Sequence, residues 1–370
     1  MTDANGEAPI PGPVHPWVAA GEGGIRFGIA YGPRSDWPEV RAFVQLVESL
    51  GFDSYWTMDH PASGFDAWSS LAALAAVTSR VRLGPLVSCV YYRSPAMLAR
   101  LAADIDRISG GRLVLGLGGG NHTREFATLG LPFPNTPERL AAVAETVRTV
   151  RGLWTEQPLT SEGERQPDYA AGVRPGPMQR PHVPILIAGG GEKVTLRQVA
   201  VLADASNFSP HVQAGSAFGA EDVRRKLAAL RGHCAEHGRP YEAILRTQVA
   251  VPVVLAESQA ALERKLEAIP ERVRRGYASS TLAGRPEDAV AYYRDLAEAG
   301  LNYFVAGVYG NDVETVRLLA ERVVPAFGAP GVEDGHRQFA ARIFGGPRIL
   351  RRLPVLGSPR PSRRDITSGT

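Results

Sequence analysis

Eight short apolar runs recur along the middle of this sequence, and a segment with helical character follows each of them. The runs are "IRFGIAY" (25–31), "FDSYWTMD" (52–59), "VRLGPLVSCV" (81–90), "RLVLGLGG" (112–119), "PILIAGGG" (184–191), "ASNFSP" (205–210), "ILRTQVAVPVVLA" (244–256) and "NYFVAGVY" (302–309). Near-continuous apolar runs of this length suit strands buried on both faces, the situation in a parallel sheet covered by helices. The helical segments carry their own punctuation. "WPEVRAFVQLVESLG" sets Val40, Phe43, Val44, Val47 and Leu50 at helical spacing and stops at Gly51, while "PAMLARLAADIDRIS" opens on Pro95. Strand and helix alternating eight times predict an α/β fold, a (β/α)8 TIM barrel rather than an open doubly wound sheet. The expected organisation is an N-terminal extension (1–24) outside the core, a barrel domain (25–330) with a polar insertion at about 155–182, and a basic C-terminal tail (331–370).

Charge and composition narrow the function classes. The chain carries +3 overall, but residues 331–370 alone carry +5, so the first 330 residues carry −2. A slightly acidic body with a basic tail does not make a nucleic-acid groove. No apolar run reaches the ~18 residues of a membrane span, and the N-terminus lacks the apolar stretch of a signal peptide. Cys89 and Cys234 are too few for a disulfide framework, so the expectation is a cytoplasmic protein with no membrane or nucleic-acid partner. The histidines show no metal-binding spacing of the H-E-x-x-H kind, and no G-x-S-x-G elbow marks a serine hydrolase. No metal is expected.

The stretch "LVLGLGGGNHTREF" (113–126) tests a nucleotide-binding reading. Gly116 and Gly118 fit G-x-G-x-x-G, but the third position is Asn121, so the dinucleotide template fails. On a barrel, both this cluster and Gly189–Gly191 fall at the carboxyl ends of strands, where active sites lie. Glycine there lets a backbone approach a ligand closely, and it equally well turns a chain tightly. The Asp59-His60 pair ends the second run. Histidine titrates near neutrality and relays protons, though on chemistry alone the pair is as fit to cap the following segment.

Taken together, "GFDSYWTMDH", "LAALAAVTSRVRLGPLV", "SPAMLARLAADIDRISGGRLVLGLGGG", "EFATLGLPF", "HVPILIAGGG" and "GRPEDAVAYYRDLAEAGLNYFV" resemble the bacterial luciferase-like monooxygenase superfamily, and within it the deazaflavin-dependent oxidoreductases. The resemblance spans about residues 25–327. It implies a luciferase-like barrel, commonly a homodimer, that binds a reduced flavin-type cofactor: a deazaflavin (coenzyme F-420), with FMN as the alternative. By position it implies catalytic roles for His60 and Asp59. It places the cofactor against Leu86, Val87 and Ser88, against Gly119, Gly120 and Asn121, and against Ala188, Gly189 and Gly190. A non-prolyl cis peptide is expected at Leu86–Val87, where relatives usually carry glycine or serine in place of Leu86. Sugar-phosphate dehydrogenases of this branch use a glutamate acid where this chain has Asn121, which cannot give up a proton at neutral pH. Trp68, Tyr91 and Phe208 are candidates for the substrate wall, and Cys89 for a buried, unreactive thiol.

The leading expectation is hydride transfer between a deazaflavin and a small organic substrate. An FMN-dependent monooxygenase and a non-catalytic barrel with a binding or structural role are the rivals.

Overall fold

A computed structural model describes residues 14–155, 169, 171–208, 211 and 214–328. The tail at 331–370 and half of the expected insertion lie outside these. In chain order the strands are β1 (Arg26–Gly32), β2 (Ser54–Thr57), β3 (Arg82–Pro85), β4 (Ser88–Cys89), β5 (Leu115–Gly118), β6 (Ile185–Ala188), β7 (Ala205–Phe208), β8 (Leu245–Ala250), β9 (Val253–Leu255), β10 (Leu282–Gly284) and β11 (Tyr303–Tyr309). One parallel sheet runs β3-β2-β1-β11-β8-β7-β6-β5-β4. Its two ends are halves of a single stave: β3 and β4 are separated only by Leu86 and Val87, and a parallel bridge joins Leu83 to Leu113. The sheet therefore closes as a (β/α)8 barrel, as the alternation predicts.

Two departures have simple causes. The seventh run divides after β8 because Pro252 has no N–H for the ladder, and β9 leaves the ring to pair with β10. The closing segment 312–327 is helical only over Val313–Leu318 before it loosens into wider and then tighter turns.

The core has two layers. Inside the ring Trp56, Val114, Leu186, Leu245, Val249, Tyr303 and Val305 pack together. Outside it, alternate strand residues meet the helices, including the buried Val40, Phe43, Val44 and Val47 of the helix Trp37–Ser49. The expectation that residues 1–24 stay outside the core is corrected for their later part. Trp17 has no exposed surface and enters the inner cluster edge-on to Tyr303, 6.1 Å between ring centroids. A single aromatic plug has no periodicity by which to announce itself. His15 fixes it, accepting the Trp17 amide at 3.1 Å and bonding the His182 carbonyl at 3.0 Å.

His182 also bonds Asp204, with 2.9 Å between Nε2 and Oδ2, and the Ile185 amide donates to the same oxygen at 2.9 Å. Burial pushes the Asp204 carboxyl up, but His182, Arg151 and that amide outweigh it and hold the pKa at about 2. A depressed carboxylate contributes stability above its unfolded value, and that stability drains away as pH falls toward the folded value. Asp204→Asn is therefore expected to cost about 2 kcal/mol at pH 7. Urea unfolding at pH 7 and near pH 3 checks it: the gap between the two proteins must narrow at the acid value.

Candidate active site

The carboxyl ends of the staves open onto a cavity of about 390 Å³. The order of the ring decides what reaches it. Tyr31 comes from β1, Met58 to His60 from the turn after β2, and Leu86, Val87 and Cys89 from the divided stave. Gly118 ends β5 and Gly119 to His122 follow it, Ala188 ends β6 and Gly189 follows it, and Asn207 and Val249 lie on β7 and β8.

The divided stave explains the glycines of the fourth run. The Leu86–Val87 peptide is cis, as expected. A Cβ at Gly116 would stand 2.2 Å from the Pro85 carbonyl oxygen, and one at Gly118 would stand 2.7 Å from Val87 Cγ2. These two glycines make room for the bulge and are not a phosphate loop. Gly120 has φ +74°, and a Cβ there would meet Cys89 Sγ at 2.7 Å. Burial pushes the Cys89 thiol up to about 12, which leaves it protonated and inert.

Of the residues expected at the site, Asp59, His60, Leu86, Val87, Gly119, Gly120, Asn121, Ala188 and Gly189 line the cavity. Ser88 and Gly190 do not. Ser88 is fully buried; its hydroxyl donates to Asp59 Oδ2 at 2.6 Å and accepts from Trp68 Nε1 at 3.2 Å. Gly190 is packed against Gly215, whose carbonyl oxygen a Cβ would approach to 2.0 Å, and its own carbonyl accepts from Lys226 Nζ at 2.7 Å. The expected substrate wall is also corrected. Trp68 and Phe208 are core residues, and the Tyr91 hydroxyl donates to the Glu138 carbonyl at 3.2 Å. On β7 it is Asn207 that lines the cavity, so pleat alternation turns Phe208 toward the helices.

Asp59 and His60 have different surroundings. The Asp59 carboxylate has no exposed surface and accepts from Arg93 Nη1 on both oxygens, at 3.0 and 2.8 Å. Burial pushes its pKa up even though Arg93 and Ser88 pull the other way. Arg93 continues to Asp66, so the carboxylate serves an internal network. The His60 ring is one-third exposed, and its Nδ1 lies 2.6 Å from Glu125 Oε2. Glu125 also accepts the Tyr92 hydroxyl at 3.0 Å and the Ala62 amide at 3.3 Å. Burial pulls the Glu125 carboxyl up, but His60, the Ala62 amide and Tyr92 outweigh it and leave it below the usual carboxylate range. An ionised Glu125 can only accept, so Nδ1 donates, and Nε2 has no protein partner among the described residues.

Glu125, Tyr92, Tyr31 and Tyr277 were not expected from the sequence. The one available signal for Glu125 was that it is the sole acid between residues 113 and 137. Among the described residues no cluster of three His, Cys, Asp or Glu side chains is placed to hold a metal.

A flavin-type ring and chain fit this cavity. The Leu86–Val87 bulge supplies one apolar wall, Gly119 and Gly189 keep the walls next to it in the ring to bare backbone, and Thr195 at a helix N-terminus offers a hydroxyl beside them. These features define a barrel oxidoreductase that works through a bound ring cofactor. The model of the luciferase-like monooxygenase family matches residues 14–316, and the chain belongs to that family. It is similar to an F420-dependent glucose-6-phosphate dehydrogenase of Kribbella flavida, 30% identical over 332 residues that make up 80% of this chain and 94% of the relative. The F420-dependent tetrahydromethanopterin reductase of Methanopyrus kandleri has a similar structure, TM-score 0.69 at 22% identity, covering 82% of this chain and 99% of that one. A type II Baeyer-Villiger monooxygenase of Pseudomonas putida, solved with FMN, gives TM-score 0.65 at 17% identity over 82% and 98% of the two chains. At these identities the two solved structures speak for the fold.

Proposed function

We propose that this enzyme transfers hydride between a deazaflavin (F-420) and a small organic substrate, with His60 moving the accompanying proton. The observation that carries the reading is the His60–Glu125 contact of 2.6 Å at the wall of the cavity. A deazaflavin bound here supplies a ring carbon that accepts or gives a hydride. Glu125 holds the His60 ring by Nδ1, and Nε2 takes the proton from a substrate hydroxyl in oxidation or returns it in reduction. Asp59 is a positioning residue: by binding Arg93 it fixes the turn from which His60 projects. Leu86, Val87, Gly119, Gly120, Asn121, Ala188 and Gly189 hold the cofactor. Ser88 and Gly190 act behind them, through Asp59 and through the Gly215 contact.

Purified protein titrated with F-420 and with FMN, followed by ring fluorescence, tests the cofactor. Tight FMN binding with no F-420 binding would make the monooxygenase reading first.

The substrate side is aromatic. Tyr31, Tyr92, Tyr277 and His211 line it, and no lysine does among the described residues. With Asn121 in place of an acid, this points to an uncharged organic substrate. Glucose-6-phosphate with F-420 is therefore expected to give no reduction above background; robust turnover would assign the acid role to another group. The enzyme is further proposed to be a cytoplasmic homodimer, which light scattering and fractionation check. Among the described residues no helix is long and apolar enough to cross a membrane.

A further inference from the structure

Arg139 is the sole arginine or lysine lining the cavity among the described residues. It stands in the first turn of the helix Thr136–Leu153, packed so closely on Gly119 that a Cβ there would be 3.1 Å from Arg139 Cβ. Its guanidinium carbon lies 4.3 Å from the centre of the Phe133 ring, and its nitrogens donate to the Pro134 carbonyl at 2.7 Å and Thr136 Oγ1 at 3.2 Å. These partners are neutral, and no carboxylate among the described residues pairs with it. The contrast with nearby cations is sharp: Arg93 meets Asp59 and Asp66, and Lys226 lies 3.6 Å from Glu192.

The position of this charge is fixed by the next residue. The Leu140 carbonyl accepts from Gln198 Nε2 at 2.9 Å, tying the turn to the helix Thr195–Leu202, whose first residue also lines the cavity. Arg139 and Thr195 thus stand by the loops after β5 and β6, and β6 lies across the ring from β1, which carries Tyr31. An arginine without a counter-ion on a cavity wall is a ready partner for a phosphoryl oxygen. Thr136 Oγ1, which accepts from Arg139, keeps its own hydrogen to donate.

We infer that Arg139, with the hydroxyls of Thr136 and Thr195, forms an anion subsite that takes the phosphoryl end of the cofactor. This rests on the proposed use of a flavin-type cofactor. It assigns affinity for the charged end of the molecule to one side chain, separate from the walls that hold the ring.

Equilibrium binding, followed by ring fluorescence, tests this with wild type, Arg139→Ala and Arg139→Lys. The probes are F-420, FMN, riboflavin and the phosphate-free deazaflavin riboside. Arg139→Ala is expected to weaken F-420 binding about tenfold or more and to leave the phosphate-free riboside within about twofold, with Arg139→Lys in between. Raising salt should weaken F-420 binding by wild type and hardly affect the alanine variant. Equal affinity of wild type and alanine variant for F-420 would overturn the inference. So would an equal loss for every probe, which would make Arg139 a packing residue against Phe133 and Gly119. Failure of wild type to bind any probe would instead overturn the cofactor reading and remove the subsite with it. If wild type takes FMN and not F-420, the deazaflavin reading fails, and FMN against riboflavin still judges Arg139.

Discussion

Replacing His60 by alanine is expected to lower kcat by about 10²–10⁴-fold while cofactor affinity stays within about twofold, the range for loss of a positioned acid or base. The expectation follows from what the ring touches. Its Nδ1 is held 2.6 Å from a carboxylate that is itself held below the usual carboxylate range by three donors. The other ring nitrogen has no protein partner among the described residues. Such a ring is set in one tautomer and one orientation before substrate arrives. Glu125→Gln separates positioning from catalysis. It keeps the side chain's size and an oxygen that can accept from Nδ1 but removes the charge, so a smaller loss of kcat is expected than for His60→Ala. If His60→Ala stays within a few fold of wild type, His60 is a structural cap and the proton passes elsewhere. If Glu125→Gln leaves kcat at the wild-type value, Glu125 does not act through His60.

The barrel was legible because each of its staves is buried on two faces and reads as an apolar run between turn signals. Residues 26–32 and 303–309 are examples in which the strand occupies nearly the whole run. The site was legible only where the chain itself brings residues together. His60 and the glycines fall at strand ends, so a count of strands places them. Glu125 lies 65 residues from His60, and only the closure of the ring makes them neighbours. Ser88 and Gly190 were expected at the cofactor from the resemblance, by position, and Ser88 lies on a strand next to residues that line the cavity. Adjacency is a poor guide in a strand, where successive side chains point to opposite faces. The Phe208 expectation fails for the same reason: its neighbour Asn207 is the inward residue, and donates from Nδ2 to Thr247 Oγ1 at 2.7 Å. Trp17 lay beyond any rule of spacing, since what holds it is a pair of histidines far apart in the chain.

Replacing Arg93 by methionine is expected to cost about 3–5 kcal/mol of stability, the range for removing one partner of a buried ion pair. Arg93 is 15% exposed, and the Asp59 carboxylate it binds is fully enclosed. Without the guanidinium, Asp59 keeps one hydrogen bond, from Ser88, and methionine fills the space without offering a donor. The dependence on pH identifies the cause. Burial already pushes the Asp59 pKa up with Arg93 in place, and its loss moves the value further in that direction. A carboxyl whose folded pKa is raised binds its proton more tightly when folded. Its penalty is therefore absent below the ordinary carboxylate value and grows as pH rises through the raised one. The variant should fall further below wild type at pH 8 than at pH 5 in paired urea titrations. Adding Asp59→Asn should recover part of the loss, because an amide in that place leaves no unpaired charge. A deficit under about 1 kcal/mol, flat between the two pH values, would mean that the enclosed carboxylate does not depend on Arg93. The network would then be too weak to hold the turn that carries His60, and the positioning role given to Asp59 would fall with it.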